Sequence, residues 1–453
     1  MRHKALIIGG GISGLSAAYY LSKAGIRPTL LERKPRVGGV IQTSVQQGCV
    51  LEAGPDGFMA AKPWAMNLIR ELGLADQVIG SNDHSRITYI VKKGKLIPMP
   101  DGLMMMVPTK FLPLAETPLF SWGAKIRMGL EIFRQPPQGP QPDRSVYEFL
   151  LDHYGQESID YLAEPLLAGV YGGDPHEMSV NSVLARFVEL ESKYGSLTRG
   201  ALAAPRPPNP GGSFLQTLKG GLGQLIEALR PSADVIHANA EGLEQIGEGF
   251  RVRADGDWME AEHVVLATPA HDAPLGLLKP ELAGLLAGIP YTTSITLALG
   301  YRKNTFDHPL QGHGFLVPKK ERKLMFGCTW VGNKFYYRVP PNMVVLRCFL
   351  GAEAMPLSDV ALVDAARAEL HSIMGVEAEP VFHNIARWPH SMAQYTVGHQ
   401  KRIARIEELV RQIPGLYLAG NAYHGIGIPD CVRMGQEAAI KISAGYKPEL
   451  QTA

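Results

Sequence analysis

Ala5-Leu6-Ile7-Ile8 is an unbroken apolar run that stops at Gly9-Gly10-Gly11. A short continuous run bounded by glycine predicts a strand buried on both faces. A helix through Leu15 to Lys23 follows, then a second strand, Thr29-Leu30-Leu31, that ends on Glu32. Farther on the period changes. Val146, Phe149, Leu150 and Tyr154 recur at helical spacing, as do Leu184, Phe187, Val188 and Leu190, so the stretch from Arg144 to Arg199 is predicted mostly helical. From Ser294 to Val317 and from Leu324 to Leu350 the pattern predicts strands, on runs such as Ile295-Thr296-Leu297-Ala298-Leu299 and Val344-Val345-Leu346-Arg347-Cys348-Phe349. A sheet-rich middle between α/β ends predicts a second domain inserted into the first.

Two segments resist a simple period. Gln135 to Pro142 and Pro205 to Gly212 are dense in proline and glycine, which predicts surface loops. Leu103 to Phe133 is rich in Met, Leu, Phe and Trp122 but is broken by prolines and by Lys110, Lys125 and Arg127. Short helices packed into a core would produce that pattern. So would an interfacial surface that dips into a bilayer or receives an apolar substrate. Both readings stay open.

Composition narrows the classes. The chain has 453 residues, 45% of them apolar and 19% charged, which is the profile of a globular protein of two or three domains. A net charge of +2 gives no reason to expect a nucleic-acid partner. Cys49, Cys328, Cys348 and Cys431 are scattered with no C-x-x-C pair, so neither a zinc site nor a disulfide framework is expected, and a reducing compartment fits. The first apolar run ends after four residues, too short for a secretory leader. No window reaches the ~18 apolar residues of a spanning helix. The expectation is a cytoplasmic protein with at most peripheral contact at the inner face of the cell membrane.

The glycine turn carries the first chemistry. In Gly9-x-Gly11-x-x-Gly14 the first glycine permits a tight turn and the second lets backbone approach a pyrophosphate. The third lets helix pack on strand, and the helix N-terminus offers free N–H groups at Ile12 and Ser13. Glu32 stands where an acid accepts ribose hydroxyls. Glu32-Arg33-x-x-Arg36-x-Gly38-Gly39 extends the turn, and Leu51-Glu52-Ala53-Gly54-Pro55 adds another. No second such motif follows a strand in mid-chain, and Lys219 to Leu225 lacks a preceding Rossmann strand. A second nucleotide domain is therefore not expected, which favours an oxidase or desaturase over a reductase.

These segments resemble the FAD-binding pattern of the amine-oxidase-like flavoproteins. Val264-Val265-Leu266-Ala267-Thr268-Pro269, Leu416-Tyr417-Leu418-Ala419-Gly420-Asn421 and Gly425-Ile426-Gly427-Ile428-Pro429-Asp430 match its middle and C-terminal parts. Asn421 stands where that pattern usually has an acid. Within the superfamily the chain resembles, nearly end to end, the oxygen-dependent protoporphyrinogen and coproporphyrinogen oxidases of haem biosynthesis, in their bacterial soluble type. The residues that carry this are Gly54-Pro55-Asp56-Gly57-Phe58, Glu164 to Pro175, Gln394-Tyr395-Thr396-Val397-Gly398-His399 and the turn from Gly425 to Cys431.

The resemblance implies an α/β plus α+β fold: a Rossmann-like FAD-binding domain of GR2 type with an inserted sheet-based substrate domain and a helical domain. The implied bounds are 1–90, 215–275 and 395–453 for the FAD domain, 91–100 and 276–394 for the substrate domain, and 101–214 for a helical, membrane-binding-like domain. It implies non-covalent FAD held by Gly9, Gly11, Ile12, Ser13, Gly14, Glu32, Arg33, Gly38, Gly39, Gly54, Pro55, Asp56, Ala240, Thr268, Gly420, Asn421, Gly427 and Ile428. The implied chemistry is oxidation of a porphyrinogen, protoporphyrinogen IX, to the porphyrin. Hydride goes to flavin N5, and O2 is the acceptor and gives H2O2. No catalytic side chain and no metal are expected, because an activated meso carbon needs placement rather than a strong base.

Lys62 is the expected carboxylate anchor. Gly169 (with Gly172 and Gly173) allows close approach of the ring, Phe315 and Trp330 sandwich it, and Tyr395 lies near the flavin. As glycines of a turn and aromatics of a core these residues have plain structural readings too. The porphyrin product implies a hand-off to a ferrochelatase. Coproporphyrinogen III is the alternative substrate; its four propionates call for more cations, with Lys62, Arg86, Lys92, Lys93 and Arg186 as candidates. More remote readings are an amine oxidase, for which Tyr395 is the single cage candidate, and a non-catalytic flavin or porphyrin carrier.

Overall fold

The computed structural model describes residues 2–203, 212–275 and 278–444. Most of the expected loop from Pro205 to Gly212, and the chain beyond 444, lie outside these residues.

The run Ala5–Ile8 sits at the centre of the first sheet. Its strand, Arg2–Ile8, is flanked in parallel by Thr29–Leu31 and by Asp257–Leu266, and Asp234–Ile236 adds in parallel beyond Thr29–Leu31. The other side of the long Asp257–Leu266 strand is shared. Its first half pairs antiparallel with Gly249–Ala254, and Ala240–Ile246 follows. Its last three residues pair in parallel with Leu416–Leu418. Helix Ile12–Lys23 crosses from the first strand to the second, and the C-terminal helix Ile428–Ser443 packs on it. Contact between these helices depends on a glycine: a Cβ on Gly435 would lie 2.3 Å from the Ser13 carbonyl oxygen.

The second sheet has seven strands in the spatial order Phe382–Ala393, Tyr291–Arg302, Met343–Leu350, Met325–Trp330, Gly314–Leu316, Thr88–Lys92, Lys95–Pro98. One face is covered by helix Asp359–Met374, and that layer is a separate core. A third core lies among helices from Phe111 to Ala203, where Val146, Phe149, Leu150 and Tyr154 all point inward as their spacing required. Residues 134–144 form no helix or strand.

The packing moves two expected boundaries. Thr88–Lys92 lies wholly in the second sheet, so the first segment of the nucleotide-type unit ends before residue 88 rather than at 90. Helix Pro280–Ala287 buries Leu282 and Leu286 in the first core and packs against His399–Arg411, so this helix and Ile289 belong there and not with the second sheet.

Candidate functional site

The glycine turn lies at the carboxyl end of the first strand. Gly9 has φ +106°, and a Cβ on it would meet Ala267 and the Thr268 nitrogen within 2.9 Å. A Cβ on Gly14 would stand 2.0 Å from the Gly9 carbonyl oxygen, whereas one on Gly11 meets nothing within 4 Å. Helix Ile12–Lys23 starts from Gly11 with no side-chain cap, which leaves its first-turn N–H groups, at Ile12 and buried Ser13, without a capping side chain. Gly38 donates its N–H to the Gly10 carbonyl at 2.7 Å, and Arg36 donates to the Gly39 carbonyl at 2.8 Å, which folds the second glycine pair against the first.

Glu32 is buried at the end of its strand. Its carboxylate accepts from the backbone N–H of Gly10 at 2.8 Å and of Lys34 at 2.9 Å. The chain ahead of Ala240 crosses here, with Ala238 donating to the Glu32 carbonyl at 3.1 Å. Thr268 faces the same turn, and its buried hydroxyl has no hydrogen-bond partner. The open space at Gly11, uncapped helix N–H groups, a buried acid and an orphaned hydroxyl together fit a dinucleotide diphosphate and ribose. Arg33 points elsewhere, to an ion pair with Asp272 at 2.8 Å.

The far end of this cradle is built from distant chain. Gly420 (φ +147°) and Asn421 follow the strand Leu416–Leu418, and Gly427 caps the C-terminal helix before Ile428. The Asn421 amide group donates to the Ser391 carbonyl at 3.2 Å, so its side chain serves the fold. Tyr395 donates its hydroxyl to the Asn421 carbonyl (2.9 Å) and accepts from the Gly425 N–H (2.8 Å). Burial pushes its phenol well above the ordinary range. His399 stacks on it at 4.1 Å, and burial lowers the imidazole to about 4 despite a hydrogen bond to the Tyr423 carbonyl. Both rings hold the turn rather than offering a base.

Between the two ends, the Gly54–Asp56 turn is gripped by the second sheet. A Cβ on Gly54 would lie 2.0 Å from the Val40 carbonyl oxygen, and Pro55 follows. Trp388 donates to the Ala53 carbonyl at 2.8 Å, and Arg347 to that of Gly54. Asp56 pairs with Lys334 at 2.8 Å and Arg347 at 3.4 Å; burial raises its carboxyl, but these two cations outweigh that and leave it at about 2. Glu52, two positions before Gly54, pairs with buried Arg338 at 2.9 Å. Three cations thus meet two carboxylates at this seam. Sequence reasoning passed over Lys334, Arg338, Arg347 and Trp388, although an arginine inside the apolar run Val344–Phe349 was a signal.

The expected substrate residues divide. Phe315 and Trp330 are 2% and 1% exposed, in the core beneath helix Asp359–Met374. The pleat turns both away from the face that carries Leu316, which joins the helical core, and Arg347. Gly169 lets the Glu164–Tyr171 helix approach the sheet, with Leu316 3.0 Å from its would-be Cβ. Gly172 ends that helix in the left-handed region, and a Cβ on Gly173 would lie 2.1 Å from the Gln394 Oε1. Lys62 is ion-paired with Asp430 at 2.6 Å. Among the other candidate cations, Arg86 stacks on Phe214 and Lys92 donates to the Leu119 carbonyl. Among the described residues no group of three or more His, Cys, Asp or Glu side chains is arranged to hold a metal.

Residues 12–443 match the family model for flavin containing amine oxidoreductases. Coproporphyrinogen III oxidase of Bacillus subtilis is 33% identical over 96% of this chain and 96% of its own. The enzyme of that name from Propionibacterium freudenreichii is 32% identical, over 96% and 90%. A solved structure from Exiguobacterium sp. 255-15, a candidate protoporphyrinogen oxidase, superposes with TM-score 0.88 at 30% identity, over 98% of this chain and 100% of that one.

Proposed function

The chain belongs to the flavin-containing amine oxidoreductases, FAD-dependent enzymes, and from that premise we propose that it oxidises a porphyrinogen to the porphyrin. The observation that carries the reading is the joining of both chain ends in one cradle. The Gly9–Gly14 turn and the Gly427–Ile428 helix start are brought together by the packing of helix Ile428–Ser443 on Ile12–Lys23. The names of relatives similar over nearly the whole chain support the substrate class.

The residues divide the work. The N–H groups after Gly11 and the Gly38–Gly39 turn receive the diphosphate, Glu32 the ribose, and the Gly54–Asp56 turn, Gly420 and Gly427–Ile428 the ring system. Bound there, FAD supplies acceptance of a hydride equivalent and its passage to O2 as H2O2. The protein's task is to hold an apolar macrocycle beside that group and keep bulk water out. Tyr395 and His399 are occupied in shaping the cradle, which accords with chemistry that asks no base of the protein.

Protoporphyrinogen IX is the substrate carried from the sequence resemblance. Coproporphyrinogen III is the second reading, favoured by the names of the Bacillus and Propionibacterium relatives. Either product is of the class a ferrochelatase consumes. Supplying both porphyrinogens in air and following porphyrin fluorescence with peroxide release tests the proposal. Turnover of one or both is expected; silence with both in a flavin-loaded protein overturns it.

We further propose peripheral membrane contact. Among the described residues no helix is long and apolar enough to cross a bilayer. Trp122, Ile126 and Leu130, one turn apart on helix Trp122–Leu130, are 69%, 59% and 59% exposed, and Phe133 and Leu112 are exposed as well. Lys125 lies over the Trp122 ring. An exposed apolar stripe beside lysine suits an anionic lipid surface.

A further inference from the structure

We infer that Lys62 positions the cofactor end of the cradle through Asp430 and does not receive the substrate's carboxylate. The inference rests on the flavoenzyme reading above. Lys62 immediately precedes helix Pro63–Glu71, where the positive end of the helix dipole disfavours a cation. It is held there by Asp430, 368 positions away, whose two carboxylate oxygens accept from the ammonium at 2.8 and 2.6 Å. Asp430 lies in the first turn of helix Ile428–Ser443, whose cap, Gly427, has no side chain to offer.

The glycines on either side of Ile426 close on this carboxylate. A Cβ on Gly425 would lie 2.4 Å from the Asp430 Cγ, and one on Gly427 3.2 Å from an oxygen. Lys62 therefore straps the Gly425–Gly427 turn, the start of the helix that receives the cofactor ring, to the Pro63–Glu71 helix. A substrate carboxylate at Lys62 would also meet Asp430, a like charge.

The pair is uneven. The Lys62 side chain is 40% exposed and that of Asp430 only 7%. Without Asp430 the lysine turns to water. Without Lys62 the carboxylate is stranded with no other ion-pair partner among the described residues and little solvent, which is the costlier state. A strap thus predicts an order that an anchor does not.

The test is titration of FAD into the full-length, flavin-stripped protein, with KM for the porphyrinogen measured at saturating FAD. Lys62→Met should weaken FAD binding about ten-fold and Asp430→Asn about two- to three-fold. The double variant should bind FAD better than Lys62→Met alone, Lys62→Arg should restore most of the loss, and KM should stay within about two-fold throughout. If Lys62→Met raises KM with FAD affinity unchanged, or if the double variant is no better than Lys62→Met, the inference is overturned. Should the double variant alone fold well, its affinity against that of Asp430→Asn still decides: a further ten-fold loss overturns the strap. A wild-type protein that takes up no FAD overturns the flavoenzyme reading itself, and this inference with it.

Discussion

Gly11 and Gly14 stand three residues apart in one motif and do different work. A methyl at Gly11 (φ −73°) meets open space, while one at Gly14 strikes the Gly9 carbonyl oxygen at 2.0 Å. Gly11→Ala should therefore melt within about 1 kcal/mol of wild type yet lose bound FAD, because the methyl occupies the diphosphate's approach. Gly14→Ala should lose both, at a cost of about 2 kcal/mol or more, as helix and strand are forced apart. Thermal melting of the flavin-free protein beside its FAD titration separates the two. This part of the site was legible because a diphosphate cradle is local: turn, helix start and Glu32 all lie within 32 residues. Lys62 was legible as a cation, but its ion pair with Asp430 was not, since Asp430 is distant in sequence and nothing in either segment announces the other.

At the scale of elements, period foretold the strands but not which face each side chain takes. Phe315 and Leu316 are neighbours on one strand, yet the first fills the core under helix Asp359–Met374 and the second packs on the helical layer. With both faces of the second sheet covered, an apolar run does not alternate, and the pattern does not say which face a side chain takes. The hairpin between Gly314–Leu316 and Met325–Trp330 shows how the layers are held together. Lys319 pairs with Asp174 at 3.0 Å, Lys320 with Asp160 at 2.5 Å and Arg322 with Glu164 at 2.6 Å. Only the last pair is withdrawn from water on both sides, at 12% and 11% exposure. Arg322→Met should destabilise the protein by about 3 kcal/mol, since it strands Glu164. Lys319→Ala should stay within about 0.5 kcal/mol. Denaturant unfolding of the two variants checks the contrast.

For the whole molecule, the stretch Leu103 to Phe133 divides between core and surface. Met106, Val107, Leu114, Leu119, Phe120 and Met128 are core, while Trp122, Ile126, Leu130 and Phe133 face outward. Replacing Trp122, Ile126 and Phe133 together by serine should lower partitioning onto vesicles containing anionic lipid roughly ten-fold or more, with melting unchanged because no core side chain is lost. Co-sedimentation measures it, and equal binding would overturn the membrane reading. Domain edges were less legible than cores: nothing in Pro280–Ala287 says which sheet its leucines will meet, because that depends on where His399–Arg411 lies. The pairing of Leu416–Leu418 with Asp257–Leu266, and of the last helix with the first, has a consequence for biosynthesis. A ribosome adding ~5–20 residues per second takes roughly 20–90 seconds to travel from the opening strand to the segment that completes its sheet. For that interval the first sheet lacks its Leu416–Leu418 strand, and helix Ile12–Lys23 lacks the helix that covers it.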